Sequence, residues 1–481
     1  MSGTAVPSPD PLPVDRSRGP EASSGVDVAQ RPVNDPDPVT RTVSRWFARD
    51  AVLPTGPARD VSFTAAAGVL TDVAVGSEPH PDATRLPGVV LPGLANCHSH
   101  AFHRALRGRT HGDGGTFWTW REGMYEVAGR LDPDRYLALA QATYAEMALA
   151  GITAVGEFHY LHHQPDGRPF DDPNAMGAAL VQAADDAGIR LTLLDTCYLA
   201  GGLTSQGHQE LGDRQLRFGD GTADRWAERV ALLRDTDAVR IGAAVHSVRA
   251  VPRGALRVVA DAAAGRPLHV HLSEQPAENE ACQGFYGLSP TALLDAEGVL
   301  GPRTSAVHAT HLTGGDIATL GRTGTTSCFC PTTERDLADG IGPARALQRA
   351  GSPLSLGSDQ HAVIDLLEEA RALEMHERLD SRERGRFSPV ELLTAATRYD
   401  SLGWPSAGRL EVGAAADLVA VQTDSPRTAG SLPGQILLCA TACDVDTVVV
   451  AGRTVVSDGA HVLGDVGRLL AEAIAPLWAS D

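Results

Sequence analysis

Four apolar, β-branched runs in this chain each stop at side chains that hold metal ions or move protons, and this repetition constrains the fold more than any other feature. The first runs from Leu91 to the pair His98 and His100; the others span Pro267–Glu274, Thr304–His311 and Pro353–Asp359. In an extended segment, residues two apart point to the same side, so both imidazoles of His98-Ser99-His100 can reach one ion. A lone pair of this kind says little in a chain with 17 histidines. Four such endings, on runs separated by helical stretches, predict parallel strands whose C-terminal ends face one place.

Eight strand-like runs are legible: Val89-Val90-Leu91, Thr153–Phe158, Arg190–Leu194, Val239–Val245, three opened by Pro267, Thr304 and Thr325, and one at Pro353. Amphipathic stretches of helical length lie between them, such as Asp134–Ala150 and Ala175–Ala187. Repeated β-then-α units need right-handed crossovers, and eight of them predict a closed (β/α)8 TIM-like barrel. An open doubly wound sheet fits less well, because no Gly-x-Gly-x-x-Gly turn follows the first strand and polar residues end many different strands. Residues 1–38 are rich in Pro, Asp, Ser and Arg without periodicity, the composition of a disordered tail. Short β pieces at 39–90 and 407–465 share one texture and predict a small composite β-sandwich domain, drawn from both ends around a barrel at 91–406. A C-terminal helix is expected at 466–481.

At 481 residues the chain has material for one domain of about 250–350 residues and a smaller one. Its formal net charge of −19 argues against nucleic acid or an anionic membrane surface as partner, so an anionic small molecule needs local cations in its pocket. No apolar run is long enough to span a membrane and no secretory signal is evident, so the protein reads as cytoplasmic. Seven cysteines without a regular framework fit reduced thiols, and Cys328 and Cys330 read as core packing.

The strand ends supply His98, His100, His271 and Asp359, three nitrogens and a carboxylate, with Glu274 three residues beyond His271. Such donors suit zinc, and also accept iron or manganese. The segments PGLANCHSH (92–100), HVHLSE (269–274), VHATH (307–311), GSD (357–359) and CPTTERDLADGI (330–341) resemble the amidohydrolase superfamily, in its cytosine/guanine-deaminase-like mononuclear branch. The likeness spans residues of about 40–460. It implies His98, His100, His271 and Asp359 as ligands of one ion, Glu274 as proton shuttle, His308 as an assistant at the substrate, and Asp359 as acceptor of the first proton. His269 and His311 are then structural. The chemistry implied is hydrolysis at an amidine-like or amino-heteroaromatic carbon with release of ammonia. A binuclear site bridged by a carboxylated lysine is not expected, since Val239–His246 contains no lysine.

Cationic and polar groups at the strand ends narrow the substrate. Arg121 and Arg249, taken as guanidiniums around a metal, read as clamps for carboxylates. Within the superfamily, HSHAFHRALRG (98–108), FWTWR (117–121), FHYLHH (158–163) and HSVRAV (246–251) resemble the family of formimidoylglutamate deiminases. That resemblance implies that Arg121, Tyr160, His246 and Arg249 bind two carboxylates, and it implies a homodimer. Where the family carries glutamine after the histidine pair, this chain has His103, which hydrogen-bonds with shorter reach and can titrate. Gln360 and His361 receive no role. The competing readings are a purine, pyrimidine or triazine deaminase or chlorohydrolase, which shares the metal set without the clamps, and a non-catalytic barrel, which would lack part of the set.

Overall fold

The computed structural model describes residues 43–110 and 117–479. The segment 1–38, expected to be a tail, lies outside them. The chain opens with β1 (Val43–Leu53), β2 (Gly56–Ala66), β3 (Val69–Val75) and β4 (Thr84–Pro92). The central strands follow: β5 (Leu94–Ser99), β6 (Ile152–His159), β7 (Arg190–Cys197), a small hairpin of β8 (Gly202–Thr204) and β9 (Gly207–Gln209), then β10 (Val239–Val245), β11 (Leu268–Leu272), β12 (Thr304–His308), β13 (Thr326–Phe329) and β14 (Leu354–Leu356). Strands β15 (Leu418–Val421), β16 (Val445–Val450), β17 (Arg453–Ser457) and β18 (Ala460–His461) end the series.

Strands β5, β6, β7 and β10–β14 form one parallel sheet in sequence order. Its two edges meet: the amides of Ser358 and Asp359 donate to the His98 carbonyl at 3.1 and 3.0 Å, and His100 N–H donates to the Asp359 carbonyl at 3.2 Å. Asn96 pins the seam with its side chain, which accepts from Ser358 N–H at 2.9 Å and donates to Ser358 Oγ at 2.7 Å. Gly357 makes this approach feasible, since a Cβ there would lie 2.7 Å from that of His98. The result is the expected barrel, with strands buried on both faces and therefore apolar without alternation. Helices cover its outside. In α2 (Pro133–Leu149) the Asp132 side chain caps the first turn by accepting from Arg135 N–H at 2.8 Å, with proline at the first position. The helix Ala175–Ala187 ends on Gly188, whose φ of 75° suits a left-handed cap.

Apart from the β8–β9 hairpin, the remaining strands form a second sheet of eight in the order β18-β17-β16-β15-β4-β1-β2-β3, drawn from both ends of the chain as the sequence predicts. Trp46, Phe63, Leu70, Leu418 and Val449 are among the buried side chains of its own core.

One expectation is corrected. Val89-Val90-Leu91 is not the first barrel strand. It belongs to β4 of the second sheet, where these residues pair with Val421, Ala420 and Val419, and the barrel begins at β5. Both strands are buried, so the apolar run passes from one sheet to the other without a change of pattern. The crossing falls at Pro92-Gly93, where proline lacks a donor. A Cβ on Gly93 would meet Thr153 Oγ1 at 2.3 Å.

Candidate active site

The four residues expected as ligands converge at the C-terminal mouth of the barrel. His98 Nε2 and His100 Nε2 lie 3.3 and 3.4 Å from Oδ1 of Asp359, and His271 Nε2 lies 3.2 Å from His98 Nε2. All four are buried. The ring orientations follow from the outer nitrogens: Nδ1 of His100 donates to the Phe158 carbonyl at 2.9 Å, and Nδ1 of His271 donates to the His246 carbonyl at 2.8 Å. Each of these rings therefore aims an Nε2 lone pair inward. Burial holds His98 and His271 well below the usual histidine range and His100 down to about 3, so these imidazoles are neutral donors.

This donor set fits a divalent ion. The His100 lone pair facing the Asp359 carboxylate puts two acceptors against each other, an arrangement that a cation between them turns from repulsive to binding. The separations of 3.3 and 3.4 Å from Asp359 to His98 and His100 bring these three within reach of one cation, and His271 stands 3.2 Å from His98 beside them.

The strand ends carry backbone strain. His308, Ala309, Asp359 and Ser273 have φ of 68°, 49°, 42° and 50°, in the left-handed region that non-glycine residues avoid. Glu157, fully buried, holds the turn after the histidine pair by accepting from Ser99 Oγ and from Ala101 N–H, both at 2.7 Å. Burial pushes its carboxyl up to about 7. His361 bridges Ser99 Oγ at 3.2 Å and Ser358 Oγ at 3.0 Å, and Gln360 donates to Asp336 at 2.7 Å. His361 thus fastens the seam beside Asp359, and Gln360 ties the same turn to the helix Pro331–Asp336. His269 contacts the Ser401 carbonyl at 3.2 Å and His311 the Asp339 carbonyl at 2.8 Å, away from the four donors.

Glu274 and His308 stand next to the donor set. His308 Nε2 lies 3.9 Å from Oε1 of Glu274 and 3.8 Å from Oδ2 of Asp359, while its Nδ1 lies 3.6 Å from Glu334. Burial alone would lower this imidazole; the carboxylates of Glu274, Glu334 and Asp359 override it and raise the group to about 10.

All five residues expected at the substrate line one cleft with His100, His271, Glu274, His308 and Asp359. It encloses about 790 Å³, its open mouth included. His103 Nε2 is 3.0 Å from the Tyr160 hydroxyl, with Trp120 edge-on to its ring at 5.1 Å. His246 packs its ring 4.4 Å from that of Tyr198. Arg121 comes from α1 (Phe117–Arg130) and donates from Nε to the Tyr125 hydroxyl at 2.8 Å. Arg249 pairs with two carboxylates, Glu274 and Glu278, at 3.2 Å each. Sequence reasoning missed Tyr125, Tyr198 and Phe218 as walls of the cleft, and Glu278 as a partner of Arg249. Tyr198 directly follows β7, and its place at a strand end was the available signal.

Comparison with known proteins agrees with this geometry. The model of the amidohydrolase family matches residues 89–455. The chain is 38% identical over 445 residues to the formimidoylglutamate deiminase of Pseudomonas aeruginosa, covering 87% of this chain and 96% of that protein. It is 33% identical over 407 residues to the 8-oxoguanine deaminase of the same organism, covering 81% and 86%. Among solved structures, an amidohydrolase from Brucella melitensis superposes with a TM-score of 0.83 at 32% identity, over 91% of this chain and all of that one. Barrel, converging donors and family match lead to one conclusion: the chain belongs to the amidohydrolase family.

Proposed function

We propose that the protein hydrolyses N-formimino-L-glutamate to N-formyl-L-glutamate and ammonia, a step of histidine degradation, with one zinc ion held by His98, His100, His271 and Asp359. The observation that carries this reading is the cleft itself, lined by two guanidiniums, Arg121 and Arg249, together with His100, His271 and Asp359, in a protein of net charge −19. The similarity to a formimidoylglutamate deiminase over most of both chains supports it. Bound there, the ion would supply a Lewis acid that brings the attacking water toward neutrality.

The chain's own groups do the rest. Arg121 and Arg249 pair with the two substrate carboxylates, with hydrogen bonds from Tyr160, His103 and His246 fixing the molecule between them. This leaves the formimino carbon beside Glu274 and His308. Glu274 takes a proton from water and delivers it to the leaving nitrogen, a transfer between two nearby atoms that one carboxylate can serve in turn. Water adds its oxygen to the carbon, the carbon–nitrogen bond to the imino group breaks, and ammonia leaves. His308, raised by its carboxylate neighbours, remains a hydrogen-bond donor next to both acids. Asp359, which would also hold the ion, accepts the first of the water's two protons and Glu274 the second, and both end on the departing nitrogen as ammonia. The family likeness extends the proposal to a homodimer in the cytoplasm.

The test is ammonia release measured in parallel on formiminoglutamate, formiminoaspartate, guanine, 8-oxoguanine and cytosine. Formiminoglutamate is expected to be turned over best. Release from a nucleobase without release from formiminoglutamate would overturn the substrate assignment. Arg249→Ala should lower kcat/KM on formiminoglutamate by about 10- to 150-fold, the worth of a hydrogen bond to a charged group of about 1.5–3 kcal/mol.

A further inference from the structure

Arg249 holds two carboxylates that are not held alike. Its Nε lies 3.2 Å from Oε2 of Glu278, and its Nη2 lies 3.2 Å from Oε2 of Glu274. Glu278, in the first turn of the helix Pro276–Tyr286, has a fully buried side chain and accepts Ser273 N–H at 3.2 Å with its other oxygen. It has nowhere to go. Glu274 forms part of the cleft wall, and its second oxygen already faces His308 Nε2 at 3.9 Å. The Arg249 side chain is a quarter exposed and lines the cleft.

A carboxylate entering the cleft binds a guanidinium best through two parallel N–H bonds. Nε is buried against Glu278, out of reach of the cleft, so that pairing must use the Nη1 and Nη2 edge, and Nη2 is the nitrogen that Glu274 occupies. Three carboxylates would then surround one positive charge, so one must withdraw. Glu278 is anchored; Glu274 is not.

We infer that a carboxylate of the substrate takes Nη2 of Arg249 from Glu274 and so frees Glu274 for proton transfer beside His308. The anionic end of the substrate thus acts on turnover as well as on binding. Glu278 is the positioning residue that makes the exchange one-sided. The inference rests on the reading of Glu274 as proton carrier and deepens it: an uncharged amidine or a nucleobase leaves Glu274 on Arg249 and is turned over slowly even when bound.

The experiment uses the zinc-loaded enzyme and N-methylformamidine, which carries the reacting group without carboxylates, with propionate supplied separately. Propionate is expected to raise kcat by about tenfold or more, part of the 10²–10⁴-fold that a positioned acid–base group contributes, and to saturate. Chloride at equal ionic strength should not. In Arg249→Met the stimulation should vanish. In Glu278→Gln, which leaves room for a further negative charge, propionate should half-saturate at lower concentration and stimulate less. Propionate that only inhibits or has no effect, or N-methylformamidine that is not hydrolysed even with propionate, overturns the inference if the same preparation hydrolyses formiminoglutamate. If formiminoglutamate itself is not hydrolysed, the functional reading falls and this inference falls with it.

Discussion

His98, His100 and Asp359 at the end of β5 and β14, and His159, His162 and Asp195 around the ends of β6 and β7, are both buried groups of two histidines and an aspartate whose donor atoms lie within 4.8 Å of one another. Their surroundings differ in one respect. Asp195 is taken by Arg229 through both guanidinium nitrogens, at 2.8 and 2.9 Å, and by Trp226 Nε1 at 2.9 Å. His162 spends its Nε2 on the Thr196 carbonyl at 2.9 Å. The second cluster thus carries its own cation, and Asp220 completes the pairing of Arg229 at 2.9 Å. Around Asp359, among the described residues, the charged partners are imidazoles, two of which, His98 and His100, burial keeps neutral. The same donor types thus meet different partners: Asp195 a guanidinium, and Asp359, at its nearest contacts, two neutral imidazoles.

The sharpest way to break this contrast is to remove the two aspartates in turn. Asp359→Ala should abolish detectable turnover and take bound zinc from about one ion per chain to near none by elemental analysis, with little change in folded structure by circular dichroism. Asp195→Ala should leave zinc content unchanged and destabilise the protein by about 3 kcal/mol, the lower end of the cost of breaking a buried pair because Arg229 keeps Asp220, read as a lower unfolding midpoint in urea. Zinc loss in Asp195→Ala would erase the distinction drawn here.

Acid should find the second cluster in a smaller, graded way. Burial alone would raise Asp195 and Asp220, and the pairing with Arg229, joined at Asp220 by a hydrogen bond to His163, overrides it and holds both below the usual carboxylate range. A depressed group stabilises the fold above its unfolded value of about 3.9 and loses that contribution as pH falls below it. The Tm of the wild type should therefore drop more steeply than that of Asp220→Asn between pH 5 and 3, by about 1 °C. Equal slopes would show that Asp220 carries no such linkage.

The expected donors were legible because each sits at the end of a buried parallel strand, where the apolar run is unbroken and the change to histidine or aspartate is abrupt. The β4 to β5 crossing was not, because two buried strands joined by Pro92-Gly93 read as one run. The left-handed φ of His308 and Asp359 has no local signal, since neither residue is a glycine. Tyr198 and Phe218 reach the cleft from an irregular stretch after β7 whose periodicity carries no information. Arg249 was legible as a cation at the mouth, but its two carboxylate partners lie on the segment following β11.

What the amino-acid order determined alone is which side chains stand at which strand ends, because alternation and burial are properties of a few neighbouring residues. What only the tertiary structure decided is how those ends meet. Asn96 and Ser358, 262 positions apart, lock the seam that brings His98 to Asp359, and the register between separate strands decides whether an aspartate meets an arginine or the imidazoles of His98 and His100. Such meetings depend on the packing of the whole barrel, and no local pattern encodes them.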